Sequence, residues 1–244
     1  MTHPGVHADA PRLSADLELL AVETESLLRT ARALTDSDVR EPSRCAGWTR
    51  GHVLTHLARN AESLVRLVVW ARTGVRTPQY PSQAARDADI EAGSGRPAAA
   101  LADDLEATAD LVRDALAALA LPLAVHELEM SSGPASALAL PRRRLNEVVL
   151  HHADLDTPWT LADAHPLAVA DLLDLAVSRW APPGGPALRL VSTEGDRYTL
   201  GADDSQGSSD DAVTVRGSAA DLLLWLTRGT TDGLHSSGPL PTPA

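Results

Sequence analysis

A glutamate and a histidine stand four residues apart in a segment that is expected to be helical. Glu147 and His151 are separated by three apolar residues. Residues four apart on an α-helix differ by about 40° in rotation, so both side chains project from one face and can converge on one metal ion. His152 is turned about 140° away from Glu147, so the spacing favours His151 over its neighbour. The pair therefore predicts two ligands of a metal site.

A second pair, His52 and His56, shows the same spacing on another predicted helix. Helix bundles commonly collect metal ligands from facing helices, and two histidines with one carboxylate and an open fourth position are typical of catalytic zinc. The spacing alone does not choose between His52, in the first turn, and His56, one turn further on. Such pairs also occur by chance on solvated helix faces, so the pattern is a hypothesis about a metal site.

The remaining candidates for chemistry are a single cysteine and a run of three arginines. Cys45 has no second cysteine for a disulfide and cannot build a thiolate metal cage, so a reducing cytoplasm is expected. No activating histidine is adjacent to it in the sequence, and we expect a structural thiol. The run from Arg142 to Arg144 opens a helix, where positive charge opposes the helix dipole. It is either a solvated cluster or an anion-binding patch beside the helix of Glu147.

The charge and the apolar segments make nucleic acid and membranes unfavourable partners. The 244-residue chain has a formal net charge of −12, and all 21 of its basic residues are arginine. Such a charge disfavours binding to nucleic acid and to anionic membrane surfaces, although one or two arginines can still bind a small anion. The longest apolar run, from Ala115 to Val125, is far shorter than the roughly 20 residues of a membrane span. The first twelve residues lack a signal-peptide pattern, so a cytoplasmic protein is expected.

Four amphipathic helices must position these side chains. We expect them at about residues 12–35, 49–74, 97–119 and 141–154, with Thr49 as the N-cap of the second and Pro141 in the first turn of the fourth. Residues 75–98 contain several prolines and glycines and are expected to form a long loop. Four long helices with such connections suggest a four-helix bundle.

The pattern changes near residue 160. A helix is expected from about His165 to Trp180, and alternating apolar residues predict short strands near residues 188–190, 197–200 and 213–216. A last helix is expected at 219–227. The predicted class is therefore α+β, mostly α, with a bundle over residues 1–160 and a small α+β domain over residues 161–244.

Two segments of the predicted bundle resemble one protein family. They are residues 47–53, Gly-Trp-Thr-Arg-Gly-His-Val, and residues 147–155, Glu-Val-Val-Leu-His-His-Ala-Asp-Leu. Together they are similar to the mycothiol-dependent maleylpyruvate isomerase family, which belongs to the DinB-like group of metal-binding four-helix bundles. Further similarity lies in residues 70–71, 73–74, 77–82, 85–86, 90, 93–94, 228–229, 232–233 and 236–237.

The resemblance implies a bundle followed by a smaller α+β domain, and it implies roles for individual residues. The family's ligands for one zinc ion per chain fall on His52, Glu147 and His151, which leaves His56 as a packing residue or a neighbour of the ligands. The family's functional arginine falls on Arg228, in the second domain. Cys45 matches no nucleophile of the family, in agreement with a structural thiol.

The function implied by the resemblance is isomerisation of maleylpyruvate to fumarylpyruvate in aromatic-compound catabolism. Maleylpyruvate is a cis-alkene conjugated to a carbonyl, with two carboxylates. A zinc-activated thiolate of mycothiol would add to the alkene, a single bond would rotate, and loss of the thiolate would leave the trans product. Arg228 would bind a carboxylate or stabilise the developing enolate. Two alternatives are a mycothiol S-transferase acting on electrophiles and a non-catalytic metal- or ligand-binding regulatory module.

Overall fold

The protein consists of two compact units. The computed structural model describes residues 6–130, 133–180, 187–201 and 212–241, with side chains described from residue 12 onward. The units are Met1–Thr160 and Leu161–Ala244. Each has its own buried apolar core, which contains Leu57 in the first unit and Leu222 in the second, both fully buried.

The first unit is a bundle of four long helices with one shorter helix. Its helices are α1 (Val6–Ala33), α2 (Arg50–Thr73), α3 (Gln83–Ser94), α4 (Ala98–Ala117) and α5 (Leu140–Asp154). Helices α1 and α2 each pack against both α4 and α5. Each long helix contributes a fully buried leucine to the shared core, namely Leu27, Leu57, Leu116 and Leu145. Burial of this apolar surface stabilises the bundle by about 25 cal/mol per Å². The predicted four-helix architecture is confirmed.

The ends of α2 follow from local sequence signals. The Thr49 hydroxyl accepts the backbone N–H of His52 and caps the first turn, as the sequence predicts. Gly74 ends the helix with a φ of 75°, and its N–H donates to the carbonyl of Trp70 at 2.8 Å. Glycine reaches this left-handed conformation without a steric penalty, which is why helices often stop there. The capping at Thr49 also fixes where His52 and His56 lie along the helix.

Residues 75–98 do not form the long loop that was predicted, because α3 occupies the middle of the segment. The Ser82 hydroxyl accepts the N–H of Ala85 and starts the helix. Ile90 is the only buried residue of α3, at 2% exposure. A helix anchored by one apolar side chain shows no periodic pattern, so the prolines and glycines around it dominate the sequence signal.

Two glycines allow α3 to pack closely against α2. A Cβ added to Gly51 would overlap the carbonyl oxygen of Ser94, and one added to Gly93 would lie 2.5 Å from the Thr55 Cγ2 atom. Glycine at both positions therefore permits a backbone approach that any larger residue would prevent.

Between α4 and α5, strands β1 (Glu127–Met130) and β2 (Gly133–Ser136) pair in antiparallel register.

The second unit combines two helices with a four-stranded sheet. Its helices are α6 (Pro166–Arg179) and α7 (Ala219–Arg228), and its strands are β3 (Leu188–Ser192), β4 (Arg197–Leu200), β5 (Val213–Gly217) and β6 (His235–Ser236). The strand order is β4-β3-β5-β6; β3 pairs with β5 in parallel, and the other two pairings are antiparallel. Helix α7 packs against α6, β3 and β5. The predicted α+β, mostly α, class is confirmed.

Across the described ranges, no helix combines the length and apolar character that crossing a membrane requires.

Candidate metal centre

Two histidines and one glutamate converge between α2 and α5. The Nε2 atom of His56 lies 3.0 Å from Glu147 Oε2 and 3.2 Å from His151 Nε2. The third side of the triangle, from His151 Nε2 to Glu147 Oε2, is 3.5 Å. His56 is 4% exposed, and the other two side chains are partly exposed. One buried imidazole and two accessible ligand groups thus form a small cluster at the edge of the bundle core.

The size of the triangle fits a zinc ion. Zinc binds nitrogen and oxygen ligands at about 2.0–2.2 Å, and a tetrahedral arrangement places two such ligand atoms about 3.3 Å apart. The three observed separations of 3.0, 3.2 and 3.5 Å bracket that value. His56, Glu147 and His151 can therefore share one metal ion with little movement, and a fourth position would stay open for a ligand.

A buried carboxylate orients one of these histidines. The Nδ1–H of His151 donates to Asp154 Oδ2 at 2.8 Å, and Asp154 is 1% exposed. This bond fixes the ring so that Nε2 faces the cluster, which is the usual arrangement behind a metal-bound histidine. Asp154 follows His151 by three residues, one turn along α5, so the signal was present in the sequence and was missed.

His52 lies outside the cluster, contrary to its expected place among the ligands. Its Nδ1 atom accepts the backbone N–H of Thr49 at 3.2 Å and completes a reciprocal capping box, and its Nε2 lies 3.2 Å from Glu91 Oε2. Both ring nitrogens are engaged at the start of α2, one turn away from the position that faces α5. The structure thus brings Glu147 and His151 together with His56, the alternative that the spacing had left open.

His152 faces another part of the bundle. Its Nε2 atom lies 2.7 Å from the Thr30 hydroxyl on α1, and its ring stacks on Trp159 at 3.7 Å between centroids. The residue is completely buried. The rotation of 100° per residue therefore separates two adjacent histidines into a candidate ligand and a core residue.

The environment sets the charge of each cluster member. Burial lowers the pKa of His56, despite a hydrogen bond with Glu147. Burial alone would raise the pKa of Glu147, but hydrogen bonds with His151 and His56 hold it well below its usual range. Burial alone would lower the pKa of His151, but its bonds with Asp154, Cys45 and Glu147 raise it well above its usual range. A neutral His56 and an ionised Glu147 are in the states that bind metals, whereas the raised pKa of His151 means that its imidazole must release a proton when a metal binds.

Cys45 lies closer to this cluster than its sequence neighbours indicate. Its Sγ atom is 3.3 Å from Asp154 Oδ2 and 3.9 Å from His151 Nδ1. Cys45, His151 and Asp154 also form a second group with metal-ligand chemistry. This group would use His151 through Nδ1, the atom that donates to Asp154, and not through the Nε2 atom that faces His56 and Glu147. The thiol donates to Asp154 and supports its position, which agrees with a structural role.

The arginine run divides into different environments. Consecutive helical residues differ by about 100° in direction, so three adjacent arginines cannot share one face. Arg144 is 1% exposed, and its Nη1 donates to the Leu57 carbonyl at 2.8 Å and to Asn60 Oδ1 at 2.7 Å. Burial lowers its pKa to about 10. Arg144 is therefore a link between α5 and α2 and not part of a solvated cluster.

Arg228 is the last residue of α7 in the second unit. Gly229 ends this helix with a φ of 73°, and Arg228 Nη1 donates to the carbonyl of Thr227 at 2.8 Å. The residue is half-buried. Its guanidinium carries five donors in a planar fork, a geometry that suits a carboxylate.

The fold and the cluster define a helix-bundle protein with a candidate metal centre of two histidines and one carboxylate and with an α+β second unit. Residues 20–156 match the family model of the mycothiol maleylpyruvate isomerase N-terminal domain. Residues 166–244 match the corresponding C-terminal domain model. Because the first match spans more than half of the chain, the chain belongs to the mycothiol maleylpyruvate isomerase family, as the sequence motifs predicted.

Solved structures agree with this assignment. A crystal structure of the mycothiol-dependent maleylpyruvate isomerase shares 29% identity with the chain, with a TM-score of 0.84, and the match covers 95% of this chain and 96% of that one. A crystal structure of a histidine-to-alanine mutant of the mycothiol-dependent maleylpyruvate isomerase matches with the same values. Among curated proteins, none matches the chain.

Proposed function

We propose that this protein is a zinc- and mycothiol-dependent maleylpyruvate isomerase. The observation that carries the proposal is the triangle of His56 Nε2, Glu147 Oε2 and His151 Nε2, with sides of 3.0–3.5 Å. Its size and donor types suit zinc with an open position. Similarity over both units to a family named for this reaction supports maleylpyruvate as the substrate and mycothiol as the thiol.

The proposed ligands are His56, Glu147 and His151, with His56 in place of His52. When bound, zinc would act as a Lewis acid that keeps the thiol of mycothiol ionised, and a thiolate is the nucleophile that reversible addition to a cis-alkene requires. Glu147 contributes a negative charge, which limits the net positive charge of the site. Asp154 holds the ring of His151 so that Nε2 stays aimed at the cluster.

The substrate side of the reaction needs cations, because maleylpyruvate carries two carboxylates and the chain has a net charge of −12. We assign one carboxylate, or the oxygen that becomes negative as the alkene accepts a nucleophile, to Arg228. A planar guanidinium can bind either group with two parallel hydrogen bonds. The proposed partners are a small anionic substrate and a low-molecular-weight thiol, in the cytoplasm, where the single Cys45 would stay reduced.

The test is a reconstitution with two variables, zinc and mycothiol. The metal-free protein, the zinc-loaded protein, and each of these with mycothiol are mixed with maleylpyruvate, and the alkene geometry of the product is read by proton NMR. Formation of fumarylpyruvate only when zinc and mycothiol are both present is the expected result. Conversion without the thiol, or no conversion in any mixture, contradicts the proposal.

The same mixtures separate the two alternatives. A mycothiol S-transferase would consume an electrophile such as monobromobimane in proportion to turnover and leave a stable thioether, whereas the isomerase returns the thiol unchanged. A non-catalytic binding module would bind zinc and show neither reaction.

A further inference from the structure

A second arginine stands beside the metal cluster. Arg86, in the first turn of α3, places Nη2 3.2 Å from His56 Nδ1, on the side of the ring away from Glu147 and His151. Its side chain is 20% exposed. The guanidinium carbon also lies 5.9 Å from the centre of the Tyr80 ring, a separation at which a cation is attracted to an aromatic face. Arg86 is therefore held next to the candidate centre and remains reachable from solvent.

The position of Arg86 is fixed by the packing of α3 on α2. The close approach at Gly51 and Gly93 and the burial of Ile90 join the two helices, and His56 lies on the same α2. Ser82 caps the start of α3 four residues before Arg86. The distance from Arg86 to the cluster is thus set by rigid helices and not by a loose loop.

Arg86 is poorly suited to orient a metal-bound His56. A neutral imidazole that binds a metal through Nε2 carries its hydrogen on Nδ1, and its usual outer partner is an acceptor, as Asp154 is for His151. A guanidinium has only donors. With zinc on His56 Nε2, the Arg86 N–H that now faces Nδ1 would have no acceptor there and would be available to another ligand.

The other contacts of Arg86 leave most of its hydrogen-bonding capacity unused. Of its five N–H donors, one bonds to Asp87 Oδ1 at 2.8 Å and one faces His56, and the described residues provide no further acceptor. The Asp87 side chain is 56% exposed, and an ion pair in such a position is weak. The guanidinium therefore keeps both its charge and a free edge beside the cluster.

We propose that Arg86 binds a carboxylate of the anionic substrate beside the metal centre. This inference rests on the proposed function, which requires a dicarboxylate to approach a chain of net charge −12 and the carboxylate of Glu147. A dicarboxylate that approaches the centre needs a cationic partner there, and Arg86 supplies one within the same unit as His56 and Glu147. It would select for a substrate that has an acidic group close to the reacting alkene.

The test uses maleate, a cis-dicarboxylate without the keto group, as a probe of binding. Maleate is titrated by calorimetry into zinc-loaded wild type, Arg86→Gln, Arg86→Lys and the control Arg113→Gln, without mycothiol. Arg113 lies exposed on α4 and pairs with Asp110. Arg113→Gln changes the net charge of the protein by the same amount as Arg86→Gln, which makes it a matched control. Zinc content and the KM and kcat for maleylpyruvate are measured on the same preparations.

We expect Arg86→Gln to retain zinc and to raise the maleate Kd and the KM by about 10- to 100-fold, the effect of losing hydrogen bonds to a charged group. Arg86→Lys should recover only part of the loss, because an ammonium lacks the planar fork. Arg113→Gln should match wild type. Loss of zinc in Arg86→Gln would show that the residue positions His56, and unchanged maleate binding and KM would show no role; either result overturns the inference.

The same measurements distinguish failure of the proposed isomerase function from failure of the proposed role of Arg86. In the first case zinc-loaded wild type with mycothiol does not convert maleylpyruvate at all. Maleate binding that is strong in wild type and weak in Arg86→Gln would still support an anion site at Arg86, and no maleate binding to wild type would overturn it.

Discussion

Replacing His56 by alanine should weaken zinc binding far more than replacing His52. His56 Nε2 faces both other candidate ligands, whereas the ring of His52 is used in the cap of α2 and in a contact with Glu91. The two histidines lie one turn apart on the same helix. Each variant removes one imidazole, so each is the matched control for the other.

The size of the difference follows from the number of ligands. Tight zinc sites with four protein ligands bind with about 10–16 kcal/mol, or about 2.5–4 kcal/mol for each ligand if shared equally. Loss of His56 should therefore raise the zinc Kd by about 10²- to 10³-fold. Loss of His52 removes half of a capping box, which costs about 0.5–2 kcal/mol of folding stability and leaves the three-atom cluster in place.

Zinc affinity is measured by competition with a chromophoric chelator, and folding stability by urea denaturation of the metal-free proteins. The expected pattern is a zinc defect in His56→Ala and a stability defect with near-normal zinc affinity in His52→Ala. The reverse pattern, with a folded His52→Ala that has lost zinc and a His56→Ala that keeps it, would refute the assignment and restore the ligand set implied by the family resemblance.

Three further predictions concern other parts of the protein. Arg228→Ala should keep its zinc and lose turnover by about 10- to 100-fold or more, with little recovery in Arg228→Lys; unchanged steady-state kinetics would leave the arginine without a role in the reaction. Cys45→Ala should keep its zinc and lower kcat by less than about tenfold, since it loses one weak hydrogen bond to Asp154; a folded, zinc-loaded and inactive variant would indicate an enzyme-borne nucleophile. Gly51→Ala should lower the free energy of unfolding by about 1–3 kcal/mol, because the new methyl group meets the backbone of Ser94; an unchanged urea midpoint would show that α3 can move away.

The choice between the two histidines of α2 shows what sequence spacing can and cannot decide. Both pairs, His52 with His56 and Glu147 with His151, have the right separation for one helix face, and that geometry is local. Which turn of α2 lies opposite Glu147 depends on how two helices pack, and spacing within one helix carries no information about it. A local signal did exist, because a predicted N-cap at Thr49 makes His52 the third helical residue, the position that reciprocates the cap.

Strongly periodic segments were predictable, and weakly anchored ones were not. The caps and apolar faces of the long helices determined the class of the fold, and the strands around Leu190 and Val215 alternate clearly. Helix α3 has only Ile90 to anchor it, so its existence depends on contact with α2 and not on its own pattern. Arg86 was visible only as part of a family resemblance, because its position beside His56 depends on that helix.

The location of the metal is the most direct test of the central claim. The measurement is the anomalous scattering of zinc, collected on both sides of its absorption edge from crystals of the zinc-loaded protein. The prediction is one peak per chain, about 2.0–2.2 Å from His56 Nε2, a Glu147 carboxylate oxygen and His151 Nε2. A peak bonded instead to Cys45 Sγ and His151 Nδ1, or to His52, would contradict it.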